Sequence, residues 1–258
     1  MENRPLIMVV NDDGYNAPGI AALTKAMSEI GEVVVVAPKG AMSGMGHAIT
    51  LNDTLRVDEV SVEGASKAYA LSGTPVDCVK FGTKKVLKSK PDILVSGINH
   101  GSNASVNVIY SGTMSAAVEG ALEGIPSIGF SLCDHSIDAD FTASAHFAKI
   151  LTQKVLKDGL PNGTCLNVNI PKLDLEMIKG TKVARQCIAY WDEEFDERKD
   201  PMGKSYYWLT GKFMTNDMGE DTDEWALKNG YVSIVPVQSD FTNHGLLKNL
   251  EDNGYTKA

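Results

Sequence analysis

Three short polar segments hold residues whose types and spacing suit phosphoryl chemistry. Asn11-Asp12-Asp13-Gly14 follows directly on the apolar run Leu6-Ile7-Met8-Val9-Val10. Adjacent carboxylates on a tight turn repel each other, and a hard divalent cation with oxygen ligands relieves that cost. An Asp-Gly turn in which Asp merely caps the next helix would use the same residues. The glycine-rich stretch 39–46 contains Ser43-Gly44, with His47 beyond it. A serine hydroxyl there can complete a hard-metal shell or bind phosphate, although the stretch matches neither a Gly-Lys-Ser/Thr phosphate loop nor G-x-G-x-x-G. The third segment runs Ser96-Gly97-Ile98-Asn99-His100-Gly101-Ser102-Asn103, then Tyr110-Ser111-Gly112-Thr113. Asn99 offers a neutral carboxamide oxygen. Ser111-Gly112-Thr113 leads into a helix whose first N–H groups are unpaired and carry partial positive charge, a ready anion site.

Asp12, Asp13, Ser43 and Asn99 are therefore the candidate metal ligands, and Asp12, Asp13 and Asn99 the candidate catalytic set. Ser43, Gly44, Asn99, Ser111, Gly112 and Thr113 are the candidate phosphate contacts. One divalent cation among these groups would activate water and neutralise charge developing in phosphoryl transfer. Water is the expected nucleophile. Asp13 is a candidate base as well as a ligand, and carboxylate attack to give an aspartyl-phosphate is the less favoured route. Among the histidines only His100 falls inside a motif, as a group behind the ligands, and His135 and His146 read as structural or surface residues.

The elements that must position these residues alternate between strand and helix. The runs 6–10, 33–37, 92–96, 127–132 and 165–170 read as buried strands. Segments 19–30, 115–123 and 138–157 read as helices, and Thr74-Pro75 opens another as N-cap and first helical residue. Short antiparallel strands are expected around 48–72 and a polar loop over 97–112. This order implies an α/β fold, a doubly wound and largely parallel sheet, with all three polar segments at carboxyl ends of strands, where such sheets bind ligands. Residues 1–183 form the expected core. Residues 184–258, with aromatics among charge clusters and a β-rich run at 231–237, form a C-terminal extension of the same single domain that could mediate subunit contacts.

With 258 residues, 43% hydrophobic and 22% charged, the chain is long enough for one large α/β domain and is composed like a globular protein. The net charge of −9 argues against long nucleic acids and anionic membrane surfaces as partners. Residues 1–130 carry 10 basic and 13 acidic residues, a balance of −3, and residues 131–258 carry 14 and 20, a balance of −6. The half holding the candidate site is the less acidic one. No apolar run approaches a membrane span, the N-terminus does not read as a signal peptide, and four scattered cysteines form no C-x-x-C pair, so a cytoplasmic protein is expected.

The ordered motifs resemble the SurE family of stationary-phase survival proteins, which act as metal-dependent 5′-nucleotidases. The resemblance rests on Asn11-Asp12-Asp13-Gly14 with Ala17-Pro18-Gly19-Ile20, on Ala37-Pro38 with Ser43-Gly44, and on Gly73-Thr74-Pro75-Val76-Asp77-Cys78-Val79. It continues through Ser96–Gly101, Tyr110–Thr113, Ala116-Ala117-Val118-Glu119-Gly120 and Gly230–Pro236. It implies a Rossmann-like core and a single Mg²⁺ or Mn²⁺ held by Asp12, Asp13, Ser43 and Asn99, with phosphate contacts from Ser111, Gly112 and Thr113. It also implies nucleoside monophosphate substrates, 5′ and often 3′, short polyphosphate, and a homodimer or homotetramer that exchanges C-terminal segments. Ser105-Val106-Asn107 departs from the family's Gly-x-Asp, which bears on loop shape or substrate range, and Ile234-Val235-Pro236 departs from Ile-Thr-Pro. A receiver-like phosphoacceptor or nucleotide-sensing regulator is the alternative. It would need half this length, plus a further acceptor Asp and a Lys at later strand ends, where the chain has Ser96-Gly97-Ile98-Asn99 and Cys133-Asp134.

Overall fold

A computed structural model describes residues 4–255, so the reading of the N-terminus over residues 1–3 and the last three residues of the extension lie outside it. In chain order the elements are β1 (Leu6–Val10), α1 (Pro18–Ser28), β2 (Glu32–Pro38), β3 (Val57–Val60), β4 (Lys67–Leu71), α2 (Pro75–Phe81), β5 (Ile93–His100), α3 (Gly112–Leu122), β6 (Ser127–Leu132), α4 (Thr142–Asp158) and β7 (Thr164–Ile170). After these come β8 (Thr181–Val183), β9 (Ala189–Lys199), β10 (Ser205–Thr215), α5 (Asp223–Lys228), β11 (Val232–Gln238) and α6 (His244–Asp252). Ile7 to Val10 of β1 are completely buried, and each such side chain contributes about 1.5–3 kcal/mol on leaving water. α2 starts where Thr74-Pro75 places it. The Thr74 hydroxyl accepts from Asp77 N–H (3.2 Å), and the Asp77 carboxylate accepts from Thr74 N–H (2.9 Å), a capping box.

Nine strands form one sheet in the order β3-β4-β2-β1-β5-β6-β7-β11-β8. The six from β4 to β7 run parallel. Counted among themselves they read 3-2-1-4-5-6, the Rossmann order. One core joins Ile20, Leu23 and Met27 of α1 with Ala148, Leu151 and Val155 of α4, and another joins Cys78 and Val79 of α2 with Ala116 of α3. The sheet is thus covered on both faces, as the apolar runs of β1 and β2 require. The order reverses between β1 and β5, and ligands bind in α/β sheets outside the carboxyl ends at such a switch point.

Three expectations change. Only the β3–β4 pair in 48–72 is antiparallel, and β4 is itself a parallel strand beside β2. Gly97–His100 is not loop but the end of β5, which shifts register after Ser96 and resumes with Asn99 opposite Ser131 and His100 opposite Leu132. Gly97 allows this at φ +125°, where a Cβ would sit 2.3 Å from the Phe130 carbonyl oxygen. α4 begins at Thr142, whose N–H and hydroxyl both donate to Asp140, rather than at 138. In the C-terminal stretch, β9 and β10 form a separate antiparallel hairpin, and β11 returns to the main sheet antiparallel to β7. Among the described residues no helix is long and apolar enough to cross a membrane.

Candidate active site

Asp12 and Asp13 leave β1 at the switch point. Asp12 is buried, and its carboxylate accepts the Thr113 hydroxyl at 2.5 Å. α3 can come this close only because residue 112 is glycine. A Cβ there would lie 2.7 Å from Asp12 Cβ and 2.9 Å from Oδ2. Burial raises the Asp12 carboxyl from 3.8 to about 6, and the charge of Asp13 adds to the rise while bonds from Thr113 oppose it. Burial also raises Asp13, against the His100 backbone N–H that donates to its Oδ2 at 3.3 Å. Among the described residues neither carboxylate pairs with a Lys, Arg or His side chain.

The loop after β2 closes over this pair and is tied at four points. Met42 N–H donates to the Asp12 carbonyl (2.7 Å), and Gly46 N–H to the Tyr110 carbonyl (3.0 Å). His47 Nε2 lies 2.9 Å from the buried Glu119 carboxylate, which also pairs with Lys80. Thr50 donates to Asp77 from N–H (3.1 Å) and hydroxyl (2.6 Å). Burial pushes Glu119 and Asp77 up, yet their hydrogen bonds outweigh it and hold both carboxyls below the ordinary range. Glu119 and Asp77 thereby fix the backbone that carries Ser43 and Gly44.

A cavity of about 170 Å³ brings Asp12, Ser43, Gly44, Asn99 and Ser111 together. The Asn99 amide nitrogen donates to the carbonyls of His100 (3.2 Å) and Gly101 (2.8 Å), which leaves the carboxamide oxygen as its available donor atom. Asp13 is not among the lining residues; it adjoins Asp12 and accepts from the His100 backbone N–H, next to Asn99. Ser111 caps α3 by accepting from Met114 N–H (3.0 Å) and lines the cavity. Gly112 and Thr113 are engaged with Asp12 instead. Thr113 is fully buried, so its hydroxyl orients the carboxylate rather than facing the open cavity.

The sequence reading missed several residues of the same wall. His135 and Asn107 line the cavity, and a buried amide network fixes the loop between them. Asn103 N–H donates to Asn169 (2.8 Å), Asn103 Nδ2 to Ser131 (2.8 Å), and Asn167 Nδ2 to the Asn103 carbonyl (2.8 Å). The signal for His135 was its place just past β6, at the carboxyl end of a parallel strand. A wider cleft of about 660 Å³ beside α4 is lined by Asp134, Asp138, Asp140 and Lys172, and there Asp134 is already neutralised by Lys172 at 2.9 Å. The buried Asp12 beside Asp13 at the switch point, rather than the larger opening, is the candidate centre.

The donor set fits a hard divalent cation. Two carboxylates, a carboxamide oxygen and a hydroxyl are all oxygen donors. Among the described residues no group of three His, Cys, Asp or Glu side chains is placed to hold a metal ion, so neutral oxygens, substrate and water would complete the shell.

The family profile described as "Survival protein SurE" matches residues 7–193. The 5′-nucleotidase SurE of Christiangramia forsetii is 59% identical over 251 residues, covering 96% of each chain. That of Flavobacterium psychrophilum is 57% identical over 251 residues, covering 97% of this chain and 98% of its own. A crystal structure of the SurE protein of Aquifex aeolicus superposes with a TM-score of 0.83 at 41% identity, over 96% of this chain and 99% of that one. The profile reaches from β1 into β9, across the switch point and every residue of the aspartate cavity, and the chain belongs to the SurE family.

Proposed function

We infer that the protein is a 5′-nucleotidase, a hydrolase of nucleoside 5′-monophosphates, and we propose that it works with one Mg²⁺ or Mn²⁺ ion. The observation that carries this reading is a pair of adjacent carboxylates without counter-ions, Asp12 buried and Asp13 partly buried, set near the N-terminus of α3 at the switch point. The name of the relatives, 5′-nucleotidase SurE, agrees with it. Asp12, Asp13, Ser43 and Asn99 would hold the cation, which when bound supplies charge neutralisation and a more acidic attacking water. Thr113 fixes the Asp12 carboxylate. Asn99 and Ser43 orient the phosphate, and the first turn of α3 at Ser111 and Gly112 favours the charge that builds on it. Asp13, the more exposed of the pair, takes the proton of the attacking water. Among the described residues no Lys or Arg lines the cavity, so an acidic chain binds phosphate here through a cation and a helix terminus rather than a basic patch. Nucleoside 3′-monophosphates and short polyphosphate present the same phosphate to the same groups, and we propose them as further substrates.

Phosphate release from 5′- and 3′-monophosphates, p-nitrophenyl phosphate and tripolyphosphate, measured with Mg²⁺, Mn²⁺ or EDTA, tests this reading. AMP is expected to turn over many times with metal and not at all with EDTA. Failure to hydrolyse any monoester with either metal overturns it. Multiple turnover also excludes the phosphoacceptor alternative.

We further propose a homodimer or homotetramer held by the β9–β10 hairpin. Among the described residues the hairpin pairs with no other strand, and it leaves Phe195, Tyr207, Trp208 and Leu209 exposed. A lone two-stranded ribbon is marginal in water, and exposed apolar patches of this kind mark contacts. Phe195→Glu combined with Trp208→Glu is expected to convert the oligomer to monomer in light scattering after gel filtration. A wild type that is already monomeric, or a variant of unchanged mass, removes the hairpin from the interface.

A further inference from the structure

A second cleft, of about 370 Å³, opens beside the aspartate cavity and is lined by Gly44, Tyr110, Trp191, Glu193 and Thr210 among others. Gly44 and Tyr110 line both spaces, so the two share a wall. Two aromatic side chains border this cleft, Tyr110 in the shared wall and Trp191 in the second cleft alone, and both are well exposed, Trp191 at 39% and Tyr110 at 51%. The placement of Trp191 is not loose. The Trp191 indole N–H donates to Asn107 Oδ1 at 2.9 Å, and Phe213 meets the same ring edge-on with centroids 5.7 Å apart. Tyr110 N–H donates to the Asn107 carbonyl at 3.1 Å, so the turn that holds Trp191 through its Asn107 side chain also carries Tyr110.

The supporting backbone is fixed as well. The completely buried Asp223 carboxylate accepts from Ser105 N–H (2.7 Å) and Cys187 N–H (2.9 Å), and the Ser105 hydroxyl donates to the Cys187 carbonyl (2.8 Å). These bonds lock the turn bearing Asn107 to the segment that enters β9, which bears Trp191. A preformed aromatic shelf gains affinity because little ordering is left to do on binding.

We propose that Tyr110 and Trp191 flank the nucleobase subsite, so that a nucleotide with its phosphate at the aspartates lays its base against these rings. This rests on the nucleotidase reading and adds to it the groups that recognise the nucleoside. Stacking on an aromatic face tolerates every base, and it favours purines for their larger area. Asn107, at one of the family departures, acts as the positioning residue of the shelf.

Kinetics on AMP and on ribose 5-phosphate, which lacks a base, test the proposal in wild type, Trp191→Ala, Trp191→Phe and Tyr110→Ala. The ratio of kcat/KM for AMP to that for ribose 5-phosphate is expected to fall about 10-fold in Trp191→Ala and in Tyr110→Ala, mainly through KM for AMP. Trp191→Phe keeps a ring face and is expected to hold the ratio within about 2-fold of wild type. An unchanged ratio in both alanine variants overturns the proposal, as does a Phe variant no better than Ala. Adenosine without metal is expected to quench indole fluorescence in wild type and not in Trp191→Phe, and absent or equal quenching overturns it too. Failure of the nucleotidase reading shows separately, as a wild type inactive on AMP.

Discussion

Asp12→Asn and Asp13→Asn are each expected to lower metal-dependent phosphate release from AMP by about 10³-fold or more, because each removes a charge from the carboxylate pair at the switch point. The amide keeps the shape of the carboxylate and, at Asp12, an oxygen for the Thr113 hydroxyl. Stability is expected to move the other way in metal-free protein. The buried Asp12 carboxyl titrates at about 6 in the fold against 3.8 when unperturbed. Its contribution is therefore fully present below pH 3.8 and is lost as pH rises through 6, where ionisation costs about 3 kcal/mol. In EDTA the wild type should lose melting temperature between about pH 4 and 6 and level off above, and Asp12→Asn should flatten that loss. Mn²⁺ should raise the melting temperature of the wild type through linkage and leave both variants nearly unmoved. Thermal scans across pH with EDTA or Mn²⁺, alongside initial rates, make the comparison. Near-normal rates in both variants would mean the site is wrongly placed, and equal Mn²⁺ shifts in all three proteins would remove the aspartates as ligands.

What the sequence made legible follows from burial. β1 is covered on both faces, so its run is apolar throughout and its limits can be read almost to the residue. The end of β5 was hidden for the same physical reason. Asn99 and His100 reach the crevice, where polar side chains belong, and a polar strand end carries the composition of a loop. The hairpin was hidden differently. Neither of its faces is buried, so Tyr190 to Arg198 has no alternation to betray a strand, only charges with aromatics among them. The ligand candidates were readable because carboxylates placed directly after a buried strand need a reason. Thr113 was readable only in part, since a capping-type hydroxyl in the sequence says nothing of whether it faces phosphate or, as here, a neighbouring carboxylate. Asn107 carried the best unread signal, a departure from a motif, but its meaning depends on Trp191, 84 positions away.

Gly112→Ala is expected to lower kcat/KM by about 10²-fold with little change in melting temperature, the size of loss that accompanies a displacement near 1 Å in a reacting group. The clash is with atoms that cannot swing aside. The new Cβ would stand 2.7 Å from Asp12 Cβ and 3.1 Å from Cγ, while Thr113 and the Met42 N–H hold the residue from two other sides. Either α3 slides back or Asp12 turns, and both outcomes separate the carboxylate from the helix terminus. Sliding is resisted by the helix itself, since Thr113 to Ala117 are all buried. On propensity alone the substitution favours the helix by about 0.5–1 kcal/mol, so stability and rate should part company. A merely structural glycine would lose both together. The Mn²⁺-induced rise in melting temperature is expected to shrink with the rate, because the same carboxylate serves both. A variant with wild-type kinetics and a full Mn²⁺ response would show that the approach of α3 to Asp12 has no part in the chemistry.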